Sequence, residues 1–230
     1  MKRTVIFAAL LLAACSDSYE PQTDPRAAVQ LAFEGDLENL GWADIAPTPE
    51  SNKARFRPGP TGKALYPLGD GSWIEYRANE KIILAEKVSI SFFFKRADWE
   101  NPYGPGSATK TIAVVSGKRP DRIQHVSFSI SKGDAPHFET YFEDADKNAH
   151  RLNAGPGRLS QDWTSVRLEI DRIKGATQLY IDGVFAASVK ATPAAIDNGI
   201  DILKFGTWHR KNQAYRGFID NFIIAELNDR

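Results

Sequence analysis

This sequence of 230 residues has only one cysteine and no net charge. A single cysteine, Cys15, rules out an internal disulfide and any metal site built from several cysteines. Lys plus Arg and Asp plus Glu number 29 each, so no overall positive charge is available to hold nucleic acid through its phosphates. The 42% of apolar residues exclude a disordered chain, and the length suits one domain with one core.

The N-terminal residues have the pattern of a secretory signal. Two basic residues come early, an uninterrupted apolar run extends from Val5 to Ala14, and Cys15 ends it. The run is shorter than the ~20 apolar residues that a membrane-spanning helix needs, and no later segment of the sequence is long enough. Leu12-Ala13-Ala14-Cys15 resembles the lipobox of bacterial lipoproteins, which implies cleavage before Cys15 and acylation of that residue. The alternative is an ordinary secretory peptide with an incidental cysteine.

This N-terminus sets expectations for location and domain organisation. Two or more acyl chains on one residue hold a protein stably at a membrane surface, so we expect a lipid-anchored protein of the bacterial cell envelope. Residue 16 is Ser and not Asp, which by resemblance to Gram-negative sorting rules favours the outer membrane. We expect a lipoprotein signal peptide over residues 1–14, a polar tether over 15–26 and a single domain over 27–230.

Beyond the tether, apolar residues recur at every second position, which is typical of β-strands. Turn signals rich in Gly, Asp and Asn separate these segments, and no window of ten or more residues indicates a helix. Many short strands joined by regular turns predict an all-β fold, a sandwich of two antiparallel sheets. The alternating segments are Val29-Leu31-Phe33, Ile74-Tyr76, Ile90-Phe92-Phe94, Val126-Phe128-Ile130, Phe138-Thr140-Phe142, Val166-Leu168-Ile170 and Phe218-Asp220-Phe222-Ile224.

Several spacings resemble those of laminin G-like domains. Trp163-Thr164-Ser165-Val166-Arg167-Leu168 leads to Leu179-Tyr180-Ile181-Asp182-Gly183, and Phe205-Gly206 is followed by Tyr215-Arg216-Gly217-Phe218-Ile219-Asp220-Asn221-Phe222. The resemblance extends from about Leu31 to Leu227 and implies a concanavalin A-like lectin/glucanase jelly roll. This fold serves both binding modules and enzymes, so it says little about function.

Two polar patterns on predicted strands are candidates for catalysis. Glu169-Ile170-Asp171 resembles the strand motif of β-glucanases, but the further Glu of that motif is absent, so we interpret it as a solvated polar face. The second pattern resembles jelly-roll polysaccharide lyases, in which a cation neutralises a uronate carboxylate while a base removes the neighbouring proton. Its residues are Arg122, Gln124, His125 and Tyr141. A solvated surface histidine is the alternative.

Aromatic residues in two long loops are candidates for sugar binding, because the CH faces of sugar rings stack on aromatic faces. The first loop carries Trp99 and Tyr103, and the second carries Trp208, His209, Arg210 and Tyr215. The alternative is that these side chains cover the ends of the core. Trp163, Trp42 and Trp73 are predicted to pack.

Three carboxylates predict a structural calcium site. Glu34 and Asp36 follow the first strand, and Asp220 lies in the last. First and last strands are neighbours in this architecture, and Ca²⁺ prefers clustered carboxylate and carbonyl oxygens. Many members of the superfamily carry such an ion. The alternative is that Asp220 caps loop amides without a metal.

The leading hypothesis is therefore a lipid-anchored envelope protein that binds a glycan or a surface protein without catalysis. The competing hypothesis is a polysaccharide lyase, or less favoured a glycoside hydrolase, that uses the face around His125. A third hypothesis is a structural component of an envelope complex.

Overall fold

The computed structural model describes residues 23–49, 51, 54–67, 73–97, 109–118, 123–131, 137–155, 159, 162–207 and 214–227. In this part of the chain, fifteen strands and one four-residue helix, α1 (Ala194–Asp197), form an all-β sandwich of two antiparallel sheets. The predicted fold class is confirmed. Among the described residues, no helix has the length and apolar character that crossing a membrane requires.

Sheet A contains the first and last strands of the domain. Strand β1 pairs with β15, as expected for this architecture, and all the pairings are antiparallel. In spatial order the strands are β13 (Val184–Val189), β12 (Ala176–Ile181), β11 (Thr164–Asp171), β6 (Lys87–Arg96), β15 (Gly217–Glu226), β4 (Lys63–Leu65) and β3 (Phe56–Pro58), with β1 (Ala27–Leu31) against β15.

Sheet B lies over sheet A and is built from seven strands between Ile45 and Phe205. Its central strands are long and its two edge strands are short. In spatial order they are β10 (Ala149–Asn153), β9 (His137–Glu143), β8 (Ile123–Ser131), β7 (Lys110–Lys118), β14 (Ile200–Phe205), β5 (Ile74–Ile82) and β2 (Ile45–Pro47).

Aromatic rings from both sheets form the core between them. The ring of Phe92 on β6 lies 5.2 Å from that of Phe128 on β8 and 5.8 Å from that of Phe222 on β15. Phe222 in turn meets Phe205 on β14 at 4.9 Å. All four side chains are almost fully buried, and burial of such rings is the main driving force that holds the sheets together.

The alternation that predicted the strands is interrupted in the last strand. Ile219 and Phe222 both face the core, because a bulge between Asp220 and Ile223 inserts an extra residue. Asn221 takes a left-handed conformation there, with φ of 48°. The simple period of two had indicated that Asp220 and Phe222 share a face. Because of the bulge, they lie on opposite faces.

One end of the sandwich is closed by α1. It follows β13 and contacts strands β7, β8 and β9. Gly117 on β7 permits this approach, because a Cβ atom there would overlap the carbonyl oxygen of Gly199. Asn198 then donates a 2.9 Å hydrogen bond to Gln124 Oε1.

Candidate functional site on the outer face of sheet B

We call the side of sheet B that points away from the core the B face. Its side chains are mainly polar; His125, Ser127 and Tyr141 are partly exposed, whereas Val114 at its centre is buried. One row of paired residues crosses six strands and is flanked by serine and threonine side chains. The row runs Arg151, Tyr141, Ser127, Val114, Lys204 and Glu75. The flanking hydroxyl residues on β7 and β8, all of them buried, are Thr111, Ser116, Ser129 and Ser131.

Tyr141 is the centre of a cluster at one end of this row. The ring centre of Tyr141 lies 5.6 Å from that of His125, and the guanidinium carbon of Arg151 lies 5.2 Å from it. Arg151 Nη1 also lies 2.7 Å from Glu139 Oε1, and the Tyr141 hydroxyl donates to Glu143 Oε1 at 3.3 Å. These contacts hold the half-buried tyrosine ring in a defined orientation on the surface.

Trp73 lies at the other end of the row. Its side chain is 38% exposed, and the ammonium nitrogen of Lys204 lies 4.4 Å from its ring centre. Burial lowers the pKa of Lys204, and the nearby Glu75 carboxylate, at 3.8 Å, opposes that shift. Three strand spacings separate Tyr141 from Lys204, which is about 14 Å at ~4.8 Å per strand.

The charges of the B face neutralise one another. Arg151 pairs with Glu139, whereas Glu75 lies close to both Arg77 at 2.8 Å and Lys204. A cation that is already paired with a carboxylate gains little from a second one, because part of its charge is compensated. The arrangement suits a ligand with hydroxyl groups better than a polyanion.

The four residues of the predicted lyase pattern do not form one cluster. His125 and Tyr141 share the B face, as expected from the alternation of their strands. Gln124 points to the other side of the same strand, where it is buried and bonded to Asn198. Placing Gln124 beside His125 was therefore wrong, because adjacent residues of a strand face opposite sides. Arg122 lies outside the described residues.

The loop aromatics were predicted to bind sugars, and the structure describes one of them. Tyr215 is 1% exposed, and its hydroxyl donates to the carbonyl of Lys95 at 2.7 Å. Its assignment as a binding platform was wrong, because the ring is part of the core. Trp99, Tyr103, Trp208, His209 and Arg210 lie outside the described residues, as does the predicted lipidation site Cys15.

Two tryptophans that were predicted to pack are in fact exposed. Trp42 is 53% exposed and Trp73 is 38% exposed, whereas Trp163 is half-buried with its ring 5.9 Å from that of Phe218. The isolated positions of Trp42 and Trp73 in the sequence gave no indication of their exposure, because both lie just outside strands and follow no periodic pattern.

Two of the three predicted calcium ligands meet at the loop 59–62. Glu34 Oε1 and Asp220 Oδ2 are buried and, within the described part of the chain, have no hydrogen-bond partner. A Cβ atom on Gly59 would lie 2.9 Å from Asp220 Oδ2, and one on Gly62 would overlap the Glu34 carboxylate. The pKa of Asp220 is raised to about 7, mainly by burial. The hydrogen bond from the Asn221 backbone N–H opposes this rise, and the negative charge of Glu34 adds to it.

Asp36 does not join this pair. Its carboxylate accepts a hydrogen bond from the Glu38 backbone N–H at 3.1 Å, so it caps its own turn. Among the residues that the structure describes, no group of three or more His, Cys, Asp or Glu side chains is arranged to hold a metal. Including Asp36 as a ligand was wrong, whereas Glu34 and Asp220 offer two carboxylates with uncompensated buried oxygens.

Glu169 and Asp171 lie on the outer face of sheet A, where they line a cavity of about 490 Å³, and Ile170 packs in the core. Glu169 is 3.0 Å from Arg167, and Asp171 is 3.6 Å from Lys174. A hydrogen bond from the Lys174 backbone N–H lowers the pKa of Asp171, which keeps it ionised and unsuited to act as a general acid. The interpretation as a solvated polar face agrees with these contacts.

Solved structures resemble this sandwich in fold. Domain 4 of AbnA, an extracellular GH43 arabinanase from Geobacillus stearothermophilus in complex with arabinotriose, is 18% identical with a TM-score of 0.61, over 87% of this chain and 92% of that one. The binding domain of botulinum neurotoxin serotype D is 19% identical with a TM-score of 0.63, over 89% of this chain. The binding domain of Paraclostridial Mosquitocidal Protein 1 is 16% identical with a TM-score of 0.63, over 88%.

This chain spans about half the length of these two toxin domains, 49% and 50% respectively. No family model matches the sequence, and no curated protein is significantly similar to it. The comparisons therefore show a β-sandwich fold of the kind found in carbohydrate-binding and receptor-binding domains.

Proposed function

We propose that the B face binds a neutral oligosaccharide without covalent chemistry. The observation that carries this proposal is the placement of two aromatic side chains, Tyr141 and Trp73, at opposite ends of one row of the sheet. Between them the row offers the partly exposed hydroxyl of Ser127, whereas Val114 is buried beneath the surface. An extended sugar chain that reaches across the row could place one ring against each aromatic residue.

The chemistry of the B face supports a carbohydrate over a protein ligand. Sugars present CH groups to aromatic faces and hydroxyl groups to serine and carboxylate oxygens, and the B face supplies both kinds of partner. Because Arg151 and Lys204 are compensated by Glu139 and Glu75, a neutral glycan is favoured over a uronate polymer. The arabinanase domain in complex with arabinotriose, which resembles this fold, makes a carbohydrate a reasonable ligand class.

The test is a titration of the full chain, purified in mild detergent, with arabinotriose and with an array of neutral and acidic glycans. We expect at least one neutral oligosaccharide to bind, and we expect Tyr141→Ala to weaken its binding about tenfold, a loss of roughly 1.4 kcal/mol. A matched control is Tyr180→Ala on sheet A, because Tyr180 is also half-buried and also lies under an arginine, with Arg167 4.5 Å from its ring.

Two results would contradict the proposal. One is that no glycan of the array binds above background, with calcium present. The other is that Tyr180→Ala weakens binding as much as Tyr141→Ala does, which would place the ligand away from the B face.

A polysaccharide lyase remains the second candidate function, because His125 and Tyr141 do contact each other on the B face. A lyase requires a cation that neutralises the uronate carboxylate. Arg151 lies over the Tyr141 ring and could supply that cation only by giving up its ion pair with Glu139. Incubation with uronate polymers distinguishes the two functions. Unsaturated products that form with the natural protein and not with His125→Ala would establish the lyase.

We further propose that the domain is a laminin G-like jelly roll displayed on the cell envelope by acylation of Cys15, with the outer membrane as its location. The support is the Leu12-Ala13-Ala14-Cys15 sequence and the polar residues that follow it. The test is incorporation of labelled palmitate followed by membrane fractionation. Cys15→Ser should abolish labelling and should release the protein from the outer-membrane fraction or leave its signal peptide uncleaved.

We also propose that Glu34 and Asp220 hold a structural calcium ion. Each has a buried oxygen without a partner in the described part of the chain, and a carboxylate oxygen in that position is costly unless a cation compensates it. Ca²⁺ takes six to eight oxygen ligands, so backbone carbonyls and water would complete the site.

A further inference from the structure

A cavity of about 340 Å³ lies at the edge of sheet B, away from the row between Tyr141 and Trp73. Ligand cavities in proteins commonly measure roughly 300–1,000 Å³, so this one suits a small ligand. Its lining combines one exposed aromatic ring with polar and charged side chains. The lining residues are Trp42, Ala43, Asp44, Asn79, Glu80, Lys81 and Ile82.

Trp42 presents its ring from a backbone that is fixed on both sides. Its N–H donates to the carbonyl of Ala27 at 3.1 Å, and the N–H of Ala43 donates to the carbonyl of Ala28 at 2.9 Å. Gly41 permits this close approach to β1, because a Cβ atom there would overlap the Ala28 carbonyl. An exposed tryptophan on a fixed backbone loses little conformational entropy when a ligand stacks on it.

Asp44 and Asn79 form a pair on the wall of the same cavity. Asn79 Nδ2 donates to Asp44 Oδ2 at 2.7 Å, and the Asn79 backbone N–H donates to the Asp44 carbonyl at 3.0 Å. Each carboxylate oxygen can accept more than one hydrogen bond, and the amide has a second N–H and a carbonyl oxygen. The pair therefore offers both acceptors and a donor, which is the combination that sugar hydroxyls require.

The charges around the cavity favour a neutral ligand. Asp44 and Glu80 contribute two negative charges, and Lys81 contributes one positive charge that also lies 3.5 Å from the Asn198 carbonyl oxygen. A net charge of about −1 disfavours an acidic sugar or a phosphate.

We propose that this cavity is a second carbohydrate site, which holds one neutral sugar unit with its CH face on Trp42 and its hydroxyl groups on Asp44 and Asn79. The site is separate from the row between Tyr141 and Trp73 and depends on the proposed function only for the class of ligand. A terminal or branching sugar unit fits a cavity of this size, whereas the B face suits an extended chain.

The experiment uses the full chain labelled with fluorotryptophan, in which the resonance that disappears in Trp42→Phe is assigned to Trp42. The probes are arabinose, galactose, glucose and N-acetylglucosamine, each titrated alone. We expect at least one of these sugars to shift the Trp42 resonance, and we expect Asp44→Ala and Asn79→Ala each to weaken that response about tenfold. Unfolding curves show that each variant is folded.

Ile83→Ala is the matched control, since Ile83 is an exposed apolar side chain beside the cavity that does not line it. Its response to the sugar should equal that of the natural protein. The proposal is overturned if none of the sugars shifts the Trp42 resonance at millimolar concentration, or if Asp44→Ala and Asn79→Ala leave the shift unchanged. A different result would contradict the proposed function alone. In that case Trp73→Ala and Tyr141→Ala would have no effect on oligosaccharide binding, and the Trp42 resonance would still respond to the sugar.

Discussion

The ammonium nitrogen of Lys204 lies 4.4 Å from the centre of the Trp73 ring, although 131 positions separate the two residues along the chain. Lys204 is on β14 and Trp73 immediately precedes β5, the neighbouring strand. The lysine side chain is 14% exposed and also approaches Glu75, so its position is constrained. This contact orients the indole at one end of the B face.

The first prediction concerns this contact. Lys204→Met keeps the apolar stem and removes the cation, which takes about 0.5–2 kcal/mol of cation–π attraction from the indole. We expect oligosaccharide affinity to fall about threefold to tenfold, and the Trp73 fluorescence to change, in a titration of the purified protein. Trp73→Ala should weaken binding at least as much.

The control for that prediction is Lys174→Met, which removes a lysine from an exposed turn of sheet A. It should leave affinity unchanged. Equal affinity in the natural protein and in Lys204→Met would show that the lysine does not position the ring for the ligand.

The second prediction separates Tyr215 from the binding surface. Tyr215→Phe removes the hydrogen bond from the buried tyrosine to the Lys95 carbonyl, at a cost of about 1 kcal/mol. For a protein of this size we expect the melting temperature to fall by about 2–4 °C per kcal/mol, with no change in carbohydrate affinity. A loss of affinity with unchanged melting would restore Tyr215 as a ligand-binding residue.

Strand positions were predictable from the sequence because burial on one side of a sheet leaves a period of two. The segments around Phe92, Phe128 and Val166 all follow this pattern, and all are strands with the expected side inward. The pattern failed where a bulge interrupts it, at Asp220 to Ile223. A bulge shifts the alternation by one residue, and the local composition did not predict it.

The candidate site was predictable only in part. Alternation within single strands placed His125 and Tyr141 on one face, and the register about the turn at Asp144 could also have placed Arg151 opposite Tyr141. Trp73 and Lys204 could not be found in this way, because they meet through the order of strands in sheet B. That order depends on long connections that the sequence pattern does not specify.

The third prediction tests the calcium proposal. An ion bound only by the folded protein stabilises it, by about 2.7 kcal/mol at a free concentration a hundred times its Kd, so chelation should lower the melting temperature by several degrees. Asp220→Asn should abolish this response. It should also stabilise the metal-free protein, because it removes one of two neighbouring carboxylates with uncompensated buried oxygens.

Asp36→Asn serves as the control, since Asp36 caps its own turn and lies outside the pair. It should keep the full response to chelation. A melting curve of the natural protein that does not change between excess Ca²⁺ and excess chelator would overturn the calcium proposal.

The last prediction concerns the turn between β9 and β10 and its dependence on pH. Asp144 Oδ1 accepts hydrogen bonds from the backbone N–H groups of Asp146 and Asn148, and Oδ2 lies 2.8 Å from His150 Nε2. The hydrogen bond to His150, with those from Asn148 and Asp146, lowers the pKa of Asp144 to about 2, against a partial opposing effect of burial.

Because the pKa of Asp144 is lower in the folded protein than in the unfolded chain, the stability that the carboxylate contributes is fully present above about pH 4 and is lost as the pH falls toward about 2. Asp144→Ala should therefore melt several degrees below the natural protein at neutral pH, and the difference should shrink over that acidic range. Asp146→Ala, in the same turn, removes an exposed carboxylate and should not reproduce this pH dependence. A difference for Asp144→Ala that stays constant from neutral pH down to about 2 would mean that the turn is stabilised by its backbone geometry, and not by the ionised carboxylate.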